Sequence, residues 1–561
     1  MSLTILISLA VALGGEPVPP AVTPTEALAL ARMLVADNPG RASLTPIGAS
    51  FSGIPIDVLT ISENILTHAQ KPAVLLVAGL DGLRPSSVAV SVRVAQELLT
   101  NHELLRSTTF YIVPCANPDA YSRVGALCTV DASRNLRPID EDRDGRVNED
   151  HPQDINGDGA ITMMRRLAPP AEDPPTHLPD PADPRLMRTP DATKDLRATH
   201  TLWIEGLDSD QDGLIAEDAI GGVEIDRNFP HRWEEFDRAV GATQLSEPES
   251  QSIAAFVLDH PRIIAGVVIG RWESLARTPD AQPRDITGKT PLALDGGDRA
   301  VWEALGTRWK ELAGQARFQE CDPSGSLALW LYAHRGIPTF ATQLWGRPDP
   351  SPAPQPPGEV ATTAPAPPLT AANTDDAAWL QWSDRDQGHR GFIEWTPFQH
   401  PTLGPVEIGG FRSQFRSDPP PSELPRLATA LTTLCSELAS KQPRVALRNV
   451  SARAIAPGVL ELQCEVVNEG WLPTASAMGR INKQQPPILV RLSTPKDHLL
   501  SGQRVTLIEG LGGAGDRKHF RWIVRTPARE QTTLEVVWIP AGTQRITVSP
   551  DASLSMITVT P

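Results

Sequence analysis

Between Pro24 and Gln442, apolar runs short enough to be strands alternate with stretches of helical periodicity. The periodicity predicts helices over 25–38, 87–100, 250–258, 299–316 and 422–440, and strands over 74–77, 109–114, 263–269 and 339–344. Strands that alternate with helices specify an α/β fold, a sheet covered on both faces. Two segments interrupt the rhythm. One is an acidic, glycine-punctuated insert over 131–222; the other is a proline-alanine stretch over 348–368, which composition predicts to be an extended loop.

After Val445 the pattern changes. Apolar residues recur at every second position, at Leu460, Leu462, Cys464 and Val466 and again at Ile488, Val490 and Leu492. Short β-rich runs follow at 521–524, 534–539 and 546–548, with no helical period between them. This predicts a C-terminal β-sandwich domain over 443–561, of the immunoglobulin or fibronectin type. At the other end, residues 3–13 are apolar and run into Gly14-Gly15-Glu16 and a proline-rich start. That predicts a signal peptide over 1–20 and a secreted, periplasmic or envelope location, with a buried first strand as the alternative. No later apolar stretch reaches the roughly 18 residues a membrane span needs.

At 561 residues with 40% hydrophobic content, the chain is long enough for several cores. Its formal charge of −16, with no basic cluster, argues against nucleic acid as a partner. Five cysteines without CxxC spacing allow one or two disulfides but form no metal framework.

Function is most legible at one strand end. Pro72-Ala73-Val74-Leu75-Leu76-Val77-Ala78-Gly79-Leu80 runs directly into Asp81-Gly82-Leu83-Arg84. Downstream stand Asn117-Pro118-Asp119-Ala120-Tyr121, then Gly222-Val223-Glu224-Ile225-Asp226-Arg227-Asn228-Phe229-Pro230, then Ser246-Glu247-Pro248-Glu249, and last Gly336 to Trp345. In this order, over residues 25–440, these segments resemble the M14 zinc carboxypeptidases. The resemblance implies a carboxypeptidase-like α/β/α sandwich with a mixed sheet over 21–442. It also implies zinc held by His and Glu from the first loop and by His from a later strand end, with a glutamate as general base.

At the corresponding positions this chain carries Asp81, Arg84, Gly270 and Gln343. A guanidinium has no lone pair to give a metal, glycine has no side chain, and an amide is no base at neutral pH. Asp226 stands where the family has a substrate-binding asparagine. By the same resemblance Arg227 clamps a peptide's terminal carboxylate, and Arg134 or Arg137 stabilises the oxyanion. Arg84 has two readings, a replacement ion pair with Asp81 and Asp226 or a side chain in solvent. The resemblance therefore implies a pseudopeptidase that lacks zinc and binds a peptide or protein C-terminus. An active metallocarboxypeptidase, acting on peptides or cell-wall fragments, is the alternative. It needs a metal shell rebuilt from Asp81, Asp226 and a histidine such as His231 or His334. A structural envelope or adhesion protein is a further alternative.

The insert repeats one acidic pattern: Asp140-x-Asp142-x-Asp144-Gly145, Asp154-x-Asn156-x-Asp158-Gly159 and Asp208-x-Asp210-x-Asp212-Gly213. This is the first half of an EF-hand calcium loop, with oxygens at positions 1, 3 and 5 and glycine at 6. Position 12 departs from it, with His151, Arg165 and Ala219 where a bidentate acid belongs. Glu149, Asp150, Glu217 and Asp218 are the neighbouring acids available to complete a shell, and calcium is the candidate ion. Acidic surface turns without ions are the alternative.

Overall fold

The computed structural model describes residues 24–122, 133–140, 146–147, 150–167, 174–191, 193, 196–216, 218, 221–314, 316–351, 374–526, 531–549 and 558–560. The apolar run at 3–13, Cys128, Asp142 and Asp144 of the first acidic loop, Glu149, Glu217 and most of the proline-alanine stretch lie outside them.

A mixed six-stranded sheet organises the larger part of the chain. Its strands are β1 (Ala42–Ala49), β2 (Pro55–Ile61), β3 (Ala73–Val77), β4 (Thr109–Val113), β5 (Ile263–Ile269) and β6 (Thr339–Thr342), in the order β1-β2-β4-β3-β5-β6. The β1/β2 and β2/β4 pairs are antiparallel, whereas β4, β3, β5 and β6 run parallel. Every residue of β3 is buried, because successive side chains point to opposite faces and both faces are covered. Val74 and Leu76 join one core, with Val90, Val94 and Leu98 of the helix Ser86–Leu98 and Leu427, Leu431 and Leu434 of Leu424–Ser440. Ala73, Leu75 and Val77 join the other, with Ile253 and Val257 of the helix Pro248–Asp259 and Leu327 and Leu331 of Leu327–Arg335. The expected α/β/α sandwich is therefore present, and the parallel strands deliver their C-terminal ends to one edge.

Several elements differ from expectation. The helix Leu327–Arg335 is apolar on nearly every side, so it shows no amphipathic period and is simply buried. A second antiparallel sheet of Phe392–His400, Gly404–Phe411, Met163–Leu167 and His200–Ile204 ties the acidic insert to the chain beyond the proline-alanine stretch. Its central pairing sets Arg165 opposite Glu407, a contact between distant segments that no local pattern announces. Four cysteines, Cys115, Cys321, Cys435 and Cys464, are free thiols, so the allowed disulfides are absent among the described residues. Among those residues no helix is long and apolar enough to cross a membrane.

From Val445 onward two antiparallel sheets, of four and five strands, enclose a core that includes Leu460, Leu462, Cys464, Val466, Ile488, Val490, Leu492, Trp522 and Trp538. This is the β-sandwich that the period-2 pattern predicts. It differs in one detail, a six-residue helix at Ala477–Asn482, too short to show a helical period. That helix is the joint with the larger part. Ser476 Oγ donates to the Gly336 carbonyl at 2.8 Å, while the Asp298 carboxylate accepts from Ala477 N at 2.8 Å and from Met478 N at 3.3 Å. Gly336 sits at φ +68°, and a Cβ there would lie 2.5 Å from Gly479 Cα, so this joint requires glycine.

Candidate functional site

The chain leaves β3 through Gly79, at φ +65°, where a Cβ would lie 2.6 Å from Cys115 Cα. Only glycine fits this turn, which carries Asp81 to Arg84 along the C-terminal edge of the sheet. There Arg84 Nη1 donates to Asp81 Oδ2 at 2.7 Å, with only 5% and 7% of the two residues exposed. Arg84 thus lies on Asp81 rather than in solvent, while Asp226 makes other contacts.

Neighbours fix the loop from several directions. The Tyr121 hydroxyl reaches the carbonyls of Asp81 and, at 3.2 Å, of Arg84. A segment more than 300 residues further along closes over it: Gln414 Nε2 donates to Gly82 O at 3.0 Å, and Ser417 Oγ donates to Leu83 O at 2.8 Å. Asp418 accepts from Ser86 N at 3.1 Å and from Ser86 Oγ at 2.6 Å. Asp418 thereby caps the helix Ser86–Leu98, whose own N-cap is Pro85 and lacks a side-chain acceptor. Burial pushes the Asp418 carboxyl up to about 7, against the pull of the Ser86 bonds and the Arg84 charge. Burial works against the Arg84 charge too, but Asp81 beside it prevails and holds the guanidinium above its ordinary value. Asp81 Oδ1 and Arg84 Nε remain without hydrogen-bond partners among the described residues.

At the end of β5, Gly270 leaves room that Asp226 fills. A Cβ built on Gly270 would stand 2.4 Å from Asp226 Oδ2, so a histidine at this position requires Asp226 to move. Both Asp226 oxygens are held by backbone, Oδ1 by Leu327 N at 3.0 Å and Oδ2 by Arg271 N at 3.2 Å. Burial raises its carboxyl to about 6; those two bonds and Arg271 lower it, and nearby Asp81 raises it further.

At the end of β6, Gln343 Nε2 donates to the carbonyls of Arg271 and Gln319, each at 2.8 Å, and takes a structural role. Beside it lies Glu273, which the sequence reading missed although it is the first acid after the apolar strand β5. Its carboxylate accepts from Leu275 N, Ala276 N, Thr342 Oγ1 and Gln343 N at 2.7–3.1 Å. Burial lifts it to about 7 despite these bonds. A groove of about 690 Å³ opens here, lined in part by Trp272, Glu273, Arg277, Arg299, Gln319 and Cys321.

The two arginines expected to bind substrate are engaged elsewhere. Arg227 contacts Glu234 and Asp237 through Nη2 and lies 3.8 Å from Glu224. Arg137 donates through Nε to the buried Glu247 at 2.7 Å and lies over the Phe51 ring. Arg134 forms a strand bridge with Glu224. The other family-like segments interlock structurally. Asn117 ties itself to the Leu80 carbonyl at 3.2 Å, and Asn228 Oδ1 accepts from Glu247 N at 3.2 Å.

A tetrahedral zinc site takes three convergent protein ligands and leaves a fourth position open. Of the three zinc-ligand positions, Asp81, Arg84 and Gly270, only Asp81 has a side-chain lone pair to offer, on Oδ1, and a fixed guanidinium already lies against its other oxygen. His231 and His334 are in edge-to-face contact, 5.3 Å between ring centres, and the His231 ring faces the Leu292 carbonyl at 3.3 Å. Burial, then His334, pushes His231 down to about 4. Among the described residues Asp81, Asp226, His231 and His334 belong to no group of three whose ligand atoms converge. These residues do not fit a zinc ion. In the insert, by contrast, one oxygen each of Asp150, Asp208 and Asp210 lie within 4.8 Å of one another. Asp154, Asn156 and Asp158 take backbone N–H groups of their own loop, as Asp208 does from Gln211 N at 2.7 Å and Asp210 from Asp212 N at 3.0 Å.

The fold and the strand-end site define a carboxypeptidase-type α/β/α protein, and comparison with known proteins agrees. Residues 27–349 match the model of the peptidase M14 family, described as zinc carboxypeptidase, so the chain belongs to that family. Residues 444–549 match a domain of unknown function, DUF8731. Mouse carboxypeptidase A2 is 30% identical over 125 residues, covering 18% of this chain and 29% of that protein. The rat carboxypeptidase A2 is 32% identical over 95 residues, 16% of this chain and 22% of that protein. The chain therefore spans less than a third of these relatives. Among solved structures, bovine thrombin-activatable fibrinolysis inhibitor, in complex with a tick carboxypeptidase inhibitor, aligns with 12% identity and a TM-score of 0.35, covering 75% of this chain and 96% of that one. Carboxypeptidase A of Helicoverpa armigera aligns with 14% identity and a TM-score of 0.33, covering 60% and 70%.

Proposed function

We propose that this protein is a secreted M14-family pseudopeptidase, with no zinc and no hydrolysis, that holds the C-terminal tail of a peptide or protein. The observation that carries the reading is the buried Asp81–Arg84 pair, which sets a permanent cation where the family resemblance implies a zinc ligand. Asp226 in the space beside Gly270 and the amide of Gln343 support it, since the first occupies the room a third ligand needs and the second is no general base. The groove beside Gln343 is the proposed seat of the peptide. Arg232, Arg277 and Arg299 on its lining, paired with Asp322, Glu320 and Glu303 respectively, are the cations proposed to meet a terminal carboxylate, since each shares its charge with one acid where Arg227 is held by three. The apolar run at 3–13 supports export. The oxygen-only donors of the acidic insert support calcium as its ion, and the sandwich from 443 onward is read as a separate structural module.

Fluorescence anisotropy with N-terminally labelled peptides tests the proposal. Peptides ending in a free carboxylate should bind at least about tenfold more tightly than their C-terminal amides, a difference of about 1.4 kcal/mol. Mass spectrometry should recover them at full length. Equal binding of the two forms, or stepwise loss of C-terminal residues, would overturn it.

A further inference from the structure

The three-carboxylate group of the insert has a feature that a surface turn does not explain. Asp150 is fully buried, its Oδ1 accepts from Ser209 N at 2.7 Å, and its Oδ2 has no hydrogen-bond partner among the described residues. A carboxylate oxygen withdrawn from water without a hydrogen-bond donor is costly, and two further acids beside it add repulsion. One hard cation removes both penalties. Calcium binds oxygens at about 2.3–2.6 Å, so two oxygens on one ion stand at most about 5 Å apart. The Asp150, Asp208 and Asp210 oxygens, mutually within 4.8 Å, satisfy that limit.

We propose that Asp150, Asp208 and Asp210 bind one Ca²⁺, with Asp150 as the closing acid that the Asp208 loop lacks at its twelfth position. The ligand comes from the other end of the insert, just ahead of the Asp154 loop. An equivalent tie runs the opposite way. Glu205, just ahead of the Asp208 loop, accepts from Ile155 N at 3.0 Å and from Thr162 N at 2.9 Å around the Asp154 loop. Each loop is thus held by an acid preceding its partner. Only the Asp150 side leaves an oxygen free for an ion, because both Glu205 oxygens take backbone N–H groups. The donor set is all oxygen and carries three negative charges, which selects a hard divalent ion over zinc or copper. The bound ion joins residues 58 positions apart in sequence, Asp150 to Asp208, and so cross-braces the insert.

The assignment rests on the reading of the insert as a calcium element, and titration calorimetry of the full chain separates the two. Protein stripped with EDTA and titrated with CaCl₂ should take up calcium. Asp150→Asn should lose one equivalent or bind at least about tenfold more weakly. Asp210→Asn, at a partly exposed position that keeps its carbonyl oxygen, should weaken the same site even if burial makes the Asp150 variant fold poorly. Calcium uptake unchanged in both variants would overturn the role of Asp150 and leave the calcium reading standing. No uptake by the parent protein would overturn both.

Discussion

Replacing Arg84 by methionine removes the cation but keeps most of the side-chain volume, leaving Asp81 buried with no counter-charge. Two unit charges about 4 Å apart at an effective dielectric constant of about 20 interact by about 4 kcal/mol. Breaking one partner of a buried pair costs about 3–5 kcal/mol for the same reason. The pair at 2.7 Å, closed over by Gln414, Ser417 and Asp418, belongs in that range rather than with surface pairs. At about 2 °C per kcal/mol for a unit of this size, Arg84→Met should lower a calorimetric transition of the full chain by roughly 6–10 °C. Arg84→Glu should be worse, because it adds an acid beside Asp81 near Asp418 and Asp226. Combining Arg84→Met with Asp81→Asn should recover most of the loss, with a coupling of about 3 kcal/mol. A single variant within about 0.5 kcal/mol of the parent, or additive single effects, would refute the claim that this pair holds the loop.

Three other outcomes follow from the same contacts. Asp418 is raised to about 7, so the folded state binds its proton more tightly than the unfolded chain; its contribution is fully present below the unfolded pKa near 4 and is lost as pH climbs to about 7. Asp418→Asn, whose amide can donate to Ser86 Oγ, should flatten the fall in stability between pH 5 and about 7.5, and a slope identical to the parent's would count against that assignment. Gly270→His should destabilise by about 1–3 kcal/mol and bind no zinc by itself, since its Cβ meets Asp226; thermal shift with and without zinc reads both effects. Asp298→Ala strips acceptors from Ala477 N, Met478 N and the Tyr332 hydroxyl, and should cost about 1–3 kcal/mol and speed proteolysis near 477–482, whereas an unchanged digestion pattern would contradict that role for the joint.

Locally encoded features were legible in the sequence. The strand expected over 263–269 spans those residues, and the alternation at Leu460 to Val466 is the buried face of a sandwich strand, because period 2 follows directly from strand geometry. The turn at Gly79 and the motif segments were legible for the same reason, as each is a contiguous run. What closes the site was not. Asp418 lies 332 residues from Ser86, and no spacing rule connects them. Arg84 left two readings open because its direction depends on that covering segment. Arg227 and Arg137 carry family-like positions, yet their acids, Glu234, Asp237 and Glu247, decide where the guanidinium groups go. Asp150 was one of four acids near the acidic loops of the insert, and only the three-dimensional arrangement sets it opposite Asp208.

In the proposed pseudopeptidase a fixed guanidinium stands in place of a metal ligand at the end of β3. Elemental analysis of the full chain, purified after exposure to excess zinc and assayed in parallel for release of C-terminal amino acids, tests it most directly. Zinc far below one atom per chain and peptides left intact are the expected result. One tightly held zinc per chain, removed by a chelator together with measurable release of terminal residues, would contradict it.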